Sequence, residues 1–217
     1  MKLTRETYKT EAQVVLFING QFPKKVPNLD SFKKIYCTDG AYDKLSDLKI
    51  QPNVVSGDFD SVNQHKIAIS VKVIETPDQN ATDFEKSLRI IIEEGYKSVA
   101  VYGCSGLEQD HFLGNLNSML HHYNEISIRC FDDFGCYFFA EKLTEIHGFK
   151  REIISLFPFP EAKNIYSEGV KYPLYNEDLA ITDRIGTRNT ITEDVAKVTF
   201  EFGNLLVFVQ SQRNKPF

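Results

Sequence analysis

Residues 14–18 read VVLFI, apolar at every position. A strand that meets water on one face alternates apolar and polar residues, whereas a strand covered on both faces reads as a continuous apolar run. This run therefore demands a layered interior with helices to cover it. Up to about residue 133 the chain supplies them. Short apolar runs at 35–37, 54–56, 71–74, 98–102 and 126–131 alternate with helical patterns at 41–48, 82–94 and 109–122. Such alternation predicts an α/β domain with a mostly parallel sheet flanked by helices. The clearest helix is 82–94, where Phe84, Leu88, Ile91 and Ile92 share one face. Thr82-Asp83-Phe84-Glu85 predicts a capping box, with Glu85 reaching back to the Thr82 backbone N–H, and Gly95 closes the helix.

The pattern changes after about residue 134. Aromatic and alternating segments at 136–140, 152–157, 195–202 and 204–210 are punctuated by Pro158, Pro160, Gly169, Pro173, Gly186 and Gly203. They predict a small all-β domain, with a hairpin at Gly203-Asn204. The expected division is thus 1–133 and 134–217, within a chain of 217 residues. No run of 18 apolar residues exists, so no membrane span is expected. The first residues, MKLTRETYKTEAQ, lack the apolar core of a signal peptide, and a cytoplasmic protein is expected. A net charge of −5 argues against nucleic acid as a partner. Cys37, Cys104, Cys130 and Cys136 form no C-x-x-C pair and are expected to be reduced and mostly buried.

The chemistry lies just past the ends of the strands. Ligands of open parallel sheets bind beyond the carboxyl ends of the strands. Four successive predicted strands run directly into small or acidic residues: Thr38-Asp39-Gly40, then Gly57-Asp58-Phe59-Asp60-Ser61, then Thr76-Pro77-Asp78-Gln79 leading to Thr82-Asp83, and finally Gly103, Ser105 and Gly106 leading to Asp110-His111. One sheet edge therefore collects Asp39, Asp58, Asp60, Asp78, Asp83 and Asp110. Crowded carboxylates repel unless a cation sits among them. Mg²⁺ fits, because it takes oxygen ligands and bridges to phosphates. Asp58 and Asp60, two apart in an extended loop, sit on one side roughly 6–7 Å apart. The glycines let backbone N–H groups approach phosphate oxygens. Lys86, one turn beyond Asp83, is placed to pair with a phosphate or with that carboxylate. Taken singly, each residue has a plainer use: Asp39 or Asp78 as a turn former, Asp83 as a helix-dipole partner, Lys86 as a solvated lysine, His111 as a structural histidine. The coincidence at four strand ends favours a metal and phosphate site.

The same segments resemble the thiamine pyrophosphokinase family. Thr38-Asp39-Gly40-Ala41 resembles the family's A-D-G-A segment, and Ser56-Gly57-Asp58-Phe59-Asp60-Ser61 contains its G-D-F-D-S motif. Asp78 through Leu88 is similar to D-x-x-x-T-D-F-x-K-x-L, and GCSGLEQDHFLGNL at 103–116 to G-A-T-G-G-R-x-D-H-x-L-x-N-L. Ile154-Ser155-Leu156 and Gly169-Val170-Lys171-Tyr172-Pro173-Leu174 resemble the start of the family's β-domain, and Gly186-Thr187-Arg188-Asn189 falls at its G-x-S-N turn. The resemblance implies an α/β ATP-binding catalytic domain, a C-terminal β-sandwich domain for thiamine binding and dimerisation, and a homodimer. It implies that Asp58, Asp60, Asp83 and Asp110 are catalytic, with Mg²⁺ on Asp58, Asp60 and Asp83. Asp39, Gly40, Gln79, Thr82, Lys86 and Ser105 correspond to the ATP side, and Thr187, Arg188 and Asn189 to the thiamine pocket. Two positions depart from the family pattern: Leu107-Glu108 stands for Gly-Arg, and Arg188 for Ser.

The activity so implied is transfer of diphosphate from ATP to the thiamine hydroxyl, giving thiamine diphosphate and AMP, with Asp83 or Asp110 receiving the hydroxyl proton. The two departures keep open a pyrophosphokinase of the same fold acting on another, pterin-like alcohol. A non-catalytic thiamine or nucleotide sensor would tolerate loss of a metal carboxylate, and all four are present.

Overall fold

The computed structural model describes residues 1–59 and 67–210. It is rich in sheet, with three helices among the described residues, and the chain divides into two compact units. The first is Thr10–Asp132; the second joins Met1–Lys9 to Asp133–Phe217. In chain order the elements are β1 (Lys2–Thr4), β2 (Val14–Phe17), β3 (Ile35–Thr38), α1 (Asp39–Asp47), β4 (Val54–Gly57), β5 (Lys72–Glu75), α2 (Asp83–Glu93), β6 (Ser98–Tyr102), α3 (Gln109–His122) and β7 (Ser127–Phe131). They continue with β8 (Gly135–Phe139), β9 (Leu143–His147), β10 (Ile153–Glu168), β11 (Tyr175–Ala180), β12 (Gly186–Thr190), β13 (Val195–Thr199) and β14 (Phe202–Gln210).

In the first unit the strand order is β7-β6-β2-β3-β4-β5, and all five ladders are parallel. All four residues of β2 are buried, as its apolar run requires. β5 forms one edge, and its residues are mostly exposed. From β2 the chain moves to β3, β4 and β5 on one side; after α2 it returns to β6 on the other. The order therefore reverses at β2, and the crevice beyond its carboxyl end, between β3 and β6, is where an open parallel sheet binds ligands.

Helix α2 starts as expected: the Thr82 side chain accepts a hydrogen bond from the Glu85 backbone N–H at 3.2 Å. The reciprocal half of the capping box does not form. The Glu85 carboxylate instead accepts from the Arg89 guanidinium at 2.5 Å, four residues on along the same face. In α3, Gly114 sits mid-helix, and a Cβ there would meet nothing within 4 Å. Since glycine in a helix interior costs backbone entropy, Gly114→Ala is expected to stabilise the protein by about 0.5–1 kcal/mol, measured by urea denaturation.

The second unit is built around β10, a strand of 16 residues. β14 and β13 pair one after the other along one edge of it, with β8 beyond β14 and β9 beyond β13, all antiparallel. β11 and β12 also pair with β10. Lys2–Thr4 adds a parallel strand to β9, which places residues 1–9 in this unit and not in the first, where the sequence pattern puts them. The buried side chains of Leu3, Ile146, Ala162, Ile165, Val198 and Leu205 form its core. The hairpin expected at Gly203-Asn204 is absent: β13 and β14 each pair with β10 and not with each other. Gly203 lies within β14 at φ +78°, and a Cβ there would lie 2.0 Å from the Glu161 carbonyl oxygen. Glycine serves a close approach to β10 here, not a turn.

Candidate active site

The first unit carries a cavity of about 620 Å³ at the reversal point of its sheet. Its walls come from five places: Ile18-Asn19-Gly20 after β2, Thr38-Asp39-Gly40 after β3, Asp58 after β4, the 79–86 segment entering α2, and the 103–115 segment running from β6 into α3. Of the expected residues, the cavity gathers Asp39, Gly40, Asp58, Gln79, Thr82, Asp83, Lys86, Ser105 and Asp110. Asp60 lies outside the described residues. Asp78 is not part of the wall. Its carboxylate accepts from the Asn80 backbone and side-chain N–H groups, both at 2.9 Å, and those bonds hold it below the usual carboxylate range. This is the turn-forming use of an aspartate.

Asp39 is the first residue of α1 and is 3% exposed. One carboxylate oxygen accepts from the Gly40 N–H at 2.7 Å and the other from the Phe59 N–H at 2.9 Å. Phe59 sits at φ +59°, a conformation a bulky residue adopts only when held. Burial pushes the Asp39 carboxyl above its ordinary value; the two N–H bonds oppose that, and the nearby Asp83 and Asp58 carboxylates add to it. Asp39 thus clamps the loop that presents Asp58. Gly57 is required for this, because a Cβ there would lie 2.2 Å from the Asp39 Cγ.

Asp58 accepts from the Gln79 side-chain amide at 3.0 Å, which ties the loop after β4 to the one before α2. Lys86 is not a solvated lysine: its side chain is 7% exposed. Its ammonium lies 2.7 Å from an Asp83 carboxylate oxygen and donates to the carbonyls of Thr76 at 2.9 Å and Asp78 at 3.2 Å. Three acceptors match its three donors. Of the two partners expected for Lys86, the Asp83 carboxylate is in contact. Asp110, in the first turn of α3, is exposed and accepts from the His111 N–H at 2.9 Å. Glu108, the N-cap of α3, also faces the cavity, and its side chain caps no backbone group.

Sequence reasoning missed the loop after β2, because it was keyed to acidic strand ends and Asn19-Gly20 carries no acid. The small-residue signal was nonetheless there, and the packing explains it: a Cβ on Gly20 would lie 2.0 Å from the Gly103 oxygen, and one on Gly103 2.1 Å from the Ile18 oxygen. Lys44 was also missed. Its ammonium donates to the Asn19 carbonyl at 2.6 Å, the Asn19 side-chain oxygen at 2.9 Å and the Gly20 carbonyl at 3.1 Å, and burial lowers its pKa. Asn115 performs the same service for the loop after β6, donating to the Cys104 carbonyl at 2.9 Å. All four cysteines are buried, and none is in a disulfide.

Thr187, Arg188 and Asn189 belong to β12, in the second unit. The Asn189 side chain accepts from the Tyr172 N–H at 3.1 Å and donates to its carbonyl at 2.8 Å. Arg188, at φ +58°, donates its backbone N–H to the Ser155 hydroxyl at 3.0 Å. The donor set in the cavity is made of carboxylate oxygens, with one carboxyl pushed upward by burial and by its neighbours. That chemistry fits a hard divalent cation such as Mg²⁺.

Residues 28–130 match the family model "Thiamin pyrophosphokinase, catalytic domain", and residues 142–207 match "Thiamin pyrophosphokinase, vitamin B1 binding domain". Thiamine pyrophosphokinase 2 of Arabidopsis thaliana is 26% identical over 89% of this chain and 84% of its own. Thiamin pyrophosphokinase 1 of Caenorhabditis elegans is 29% identical over 50% of each chain, so this chain spans about half the length of that relative. The crystal structure of thiamine pyrophosphokinase from Bacillus subtilis superposes with a TM-score of 0.78 at 22% identity, covering 92% of this chain and 99% of that one, and shares the fold. With both family models matched in order along most of its length, the chain belongs to the thiamin pyrophosphokinase family.

Proposed function

We propose that this protein transfers diphosphate from ATP to the hydroxyl of thiamine, giving thiamine diphosphate and AMP. The observation that carries this reading is the gathering of Asp39, Asp58, Asp83 and Asp110 from four strand ends into one cavity, in a chain of this family. In this reading the first unit is an α/β ATP-binding domain with its parallel sheet flanked by helices. The second is a β-sandwich that supplies Thr187, Arg188 and Asn189 to thiamine and forms a homodimer in the cytoplasm.

Mg²⁺ would be held by Asp58, Asp60 and Asp83, and it supplies charge neutralisation at the phosphate oxygens. The chain's own residues position the reactants. Asp39 fixes the loop bearing Asp58 through Phe59. Lys86, on the ATP side of the cavity, holds Asp83 at 2.7 Å. The glycine contacts at 20 and 103 bring two loop backbones together beside the phosphate path. Asp83 and Asp110 both line the cavity, and in this reading one or the other receives the thiamine hydroxyl proton as oxygen attacks the β-phosphorus and AMP departs. Positioning and electrostatics carry most of the rate in such transfers.

AMP release from ATP and Mg²⁺, with and without thiamine, tests the reading. Thiamine-dependent AMP with equimolar thiamine diphosphate is expected. If folded protein gives no thiamine-dependent AMP, the acceptor is wrong. A match to a vitamin B1 binding model favours thiamine over a pterin-like alcohol, and the presence of Asp58, Asp60, Asp83 and Asp110 in the sequence disfavours a sensor.

A further inference from the structure

Helices α2 and α3 pack against each other. Where the first turn of α2 meets the last turn of α3, Glu85, His121 and His122 bring one ligand-type atom each within 4.8 Å of one another. None of the three lines the cavity described above. Glu85 and His122 are almost fully buried, with side chains 11% and 7% exposed.

His122 carries the observation that needs a partner. Its Nε2 is buried and makes no hydrogen bond; the Glu85 Oε1 lies 3.8 Å away, beyond hydrogen-bond range. A buried polar nitrogen left unpaired is costly and uncommon. Its other nitrogen, Nδ1, lies 2.9 Å from the Glu125 carboxylate. That contact places the proton on Nδ1 and leaves the Nε2 lone pair free, which is the carboxylate–histidine arrangement that orients metal-binding imidazoles.

The spacing suits a small ion. Zn–N and Zn–O bonds of about 2.0–2.1 Å in a tetrahedron put neighbouring ligand atoms about 3.3 Å apart. Glu85 Oε1 lies 3.3 Å from His121 Nδ1 and 3.8 Å from His122 Nε2. The two imidazole rings stack with centroids 4.9 Å apart, and these distances put a nitrogen of each ring beside the Glu85 carboxylate. The carboxyl end of α3 adds the negative pole of its helix dipole. Imidazole donors favour Zn²⁺ and similar transition ions over Mg²⁺. Arg89, which neutralises Glu85 at 2.5 Å, is 46% exposed and free to turn into solvent.

We propose that Glu85, His121 and His122 form a site for one Zn²⁺-class cation, with water in the fourth position, that pins the start of α2 to the end of α3. The site uses none of the residues assigned to diphosphate transfer, so it stands or falls separately from that activity.

Chelator-stripped protein would be titrated with Zn²⁺ against a chromophoric chelator, in excess Mg²⁺ to occupy the cavity carboxylates. One equivalent of Zn²⁺ is expected to bind and to raise the melting temperature. Co²⁺ in its place should give the visible absorption of a four-coordinate ion. His121→Ala, at a side chain 63% exposed, removes a ligand without disturbing the core, and should weaken binding on the order of a hundredfold. Glu125→Gln should weaken it about tenfold. Asp58→Asn and Cys104→Ser should bind as wild type does. No stoichiometric binding, binding that survives both His121→Ala and His122→Ala, or binding lost in Asp58→Asn or Cys104→Ser would overturn the proposal.

Discussion

Asp58→Asn is expected to lower kcat for thiamine diphosphate formation by about a hundredfold or more, with the protein still folded. Asparagine keeps the shape of the side chain and an oxygen to accept from Gln79 Nε2, now at 3.0 Å. What it removes is a negative charge at the strand end nearest the Asp39 clamp. A cation shared among carboxylates loses affinity and position together when one is neutralised, and in-line transfer tolerates misplacement poorly. The loss should appear in kcat as well as in the Mg²⁺ requirement, because the charge acts where charge develops in the transition state. Asp78→Asn is the matched control. It is the same chemical change at a neighbouring strand end, on a carboxylate that bonds Asn80 and does not line the cavity. Its kcat should be unchanged. Turnover that survived Asp58→Asn, or fell equally in Asp78→Asn, would mean that the metal lies elsewhere.

The contrast between those two aspartates marks how far the sequence reaches. Asp39, Asp58, Asp78, Asp83 and Asp110 all follow predicted strands, and that pattern located the cavity edge. Which of them face inward depends on loop geometry, and Asp78 turns to its own backbone neighbours instead. The elements of the first unit were legible because local and tertiary requirements agree there. The VVLF strand is buried on both faces, and α2 carries its apolar stripe between Thr82 and Gly95. Strand β5 and helix α1 were displaced by only one or two residues. β10 was not legible beyond its first third: Pro158 and Pro160 argue against a strand, yet pairing on both sides and a break in register between Pro158 and Ala162 carry it through. β1 was invisible because three residues have no period of their own; only their pairing with β9 makes them a strand. Glycines misled in the same way. Gly203 reads as a turn and serves a backbone contact, and nothing in the sequence pattern shows that Gly57 makes room for the Asp39 carboxylate.

Gly57→Ala should therefore be among the most damaging single-methyl changes in the protein, costing about 3 kcal/mol of stability and most of the activity. The new Cβ would sit 2.2 Å from the Asp39 Cγ and 2.4 and 2.6 Å from its carboxylate oxygens. Two responses are open. Asp39 can rotate away, which breaks its bonds from Gly40 and Phe59 and releases Phe59 from φ +59°. Alternatively the end of β4 can shift, which disturbs its pairing of Ser56 with Thr38 on one side and Gly57 with Glu75 on the other. Either response moves Asp58, the next residue. The two cases share one cause, contact between residues 39 and 57, so a double-mutant cycle isolates it. Asp39→Ala alone removes the clamp and should cost stability; in that background Gly57→Ala should add little, because the space is vacant. The coupling should be about 2 kcal/mol, read from urea denaturation of the four proteins. Additive losses would show that Gly57 is needed for its backbone and not for the carboxylate beside it, and the clamp on Asp58 would then have to come from another residue.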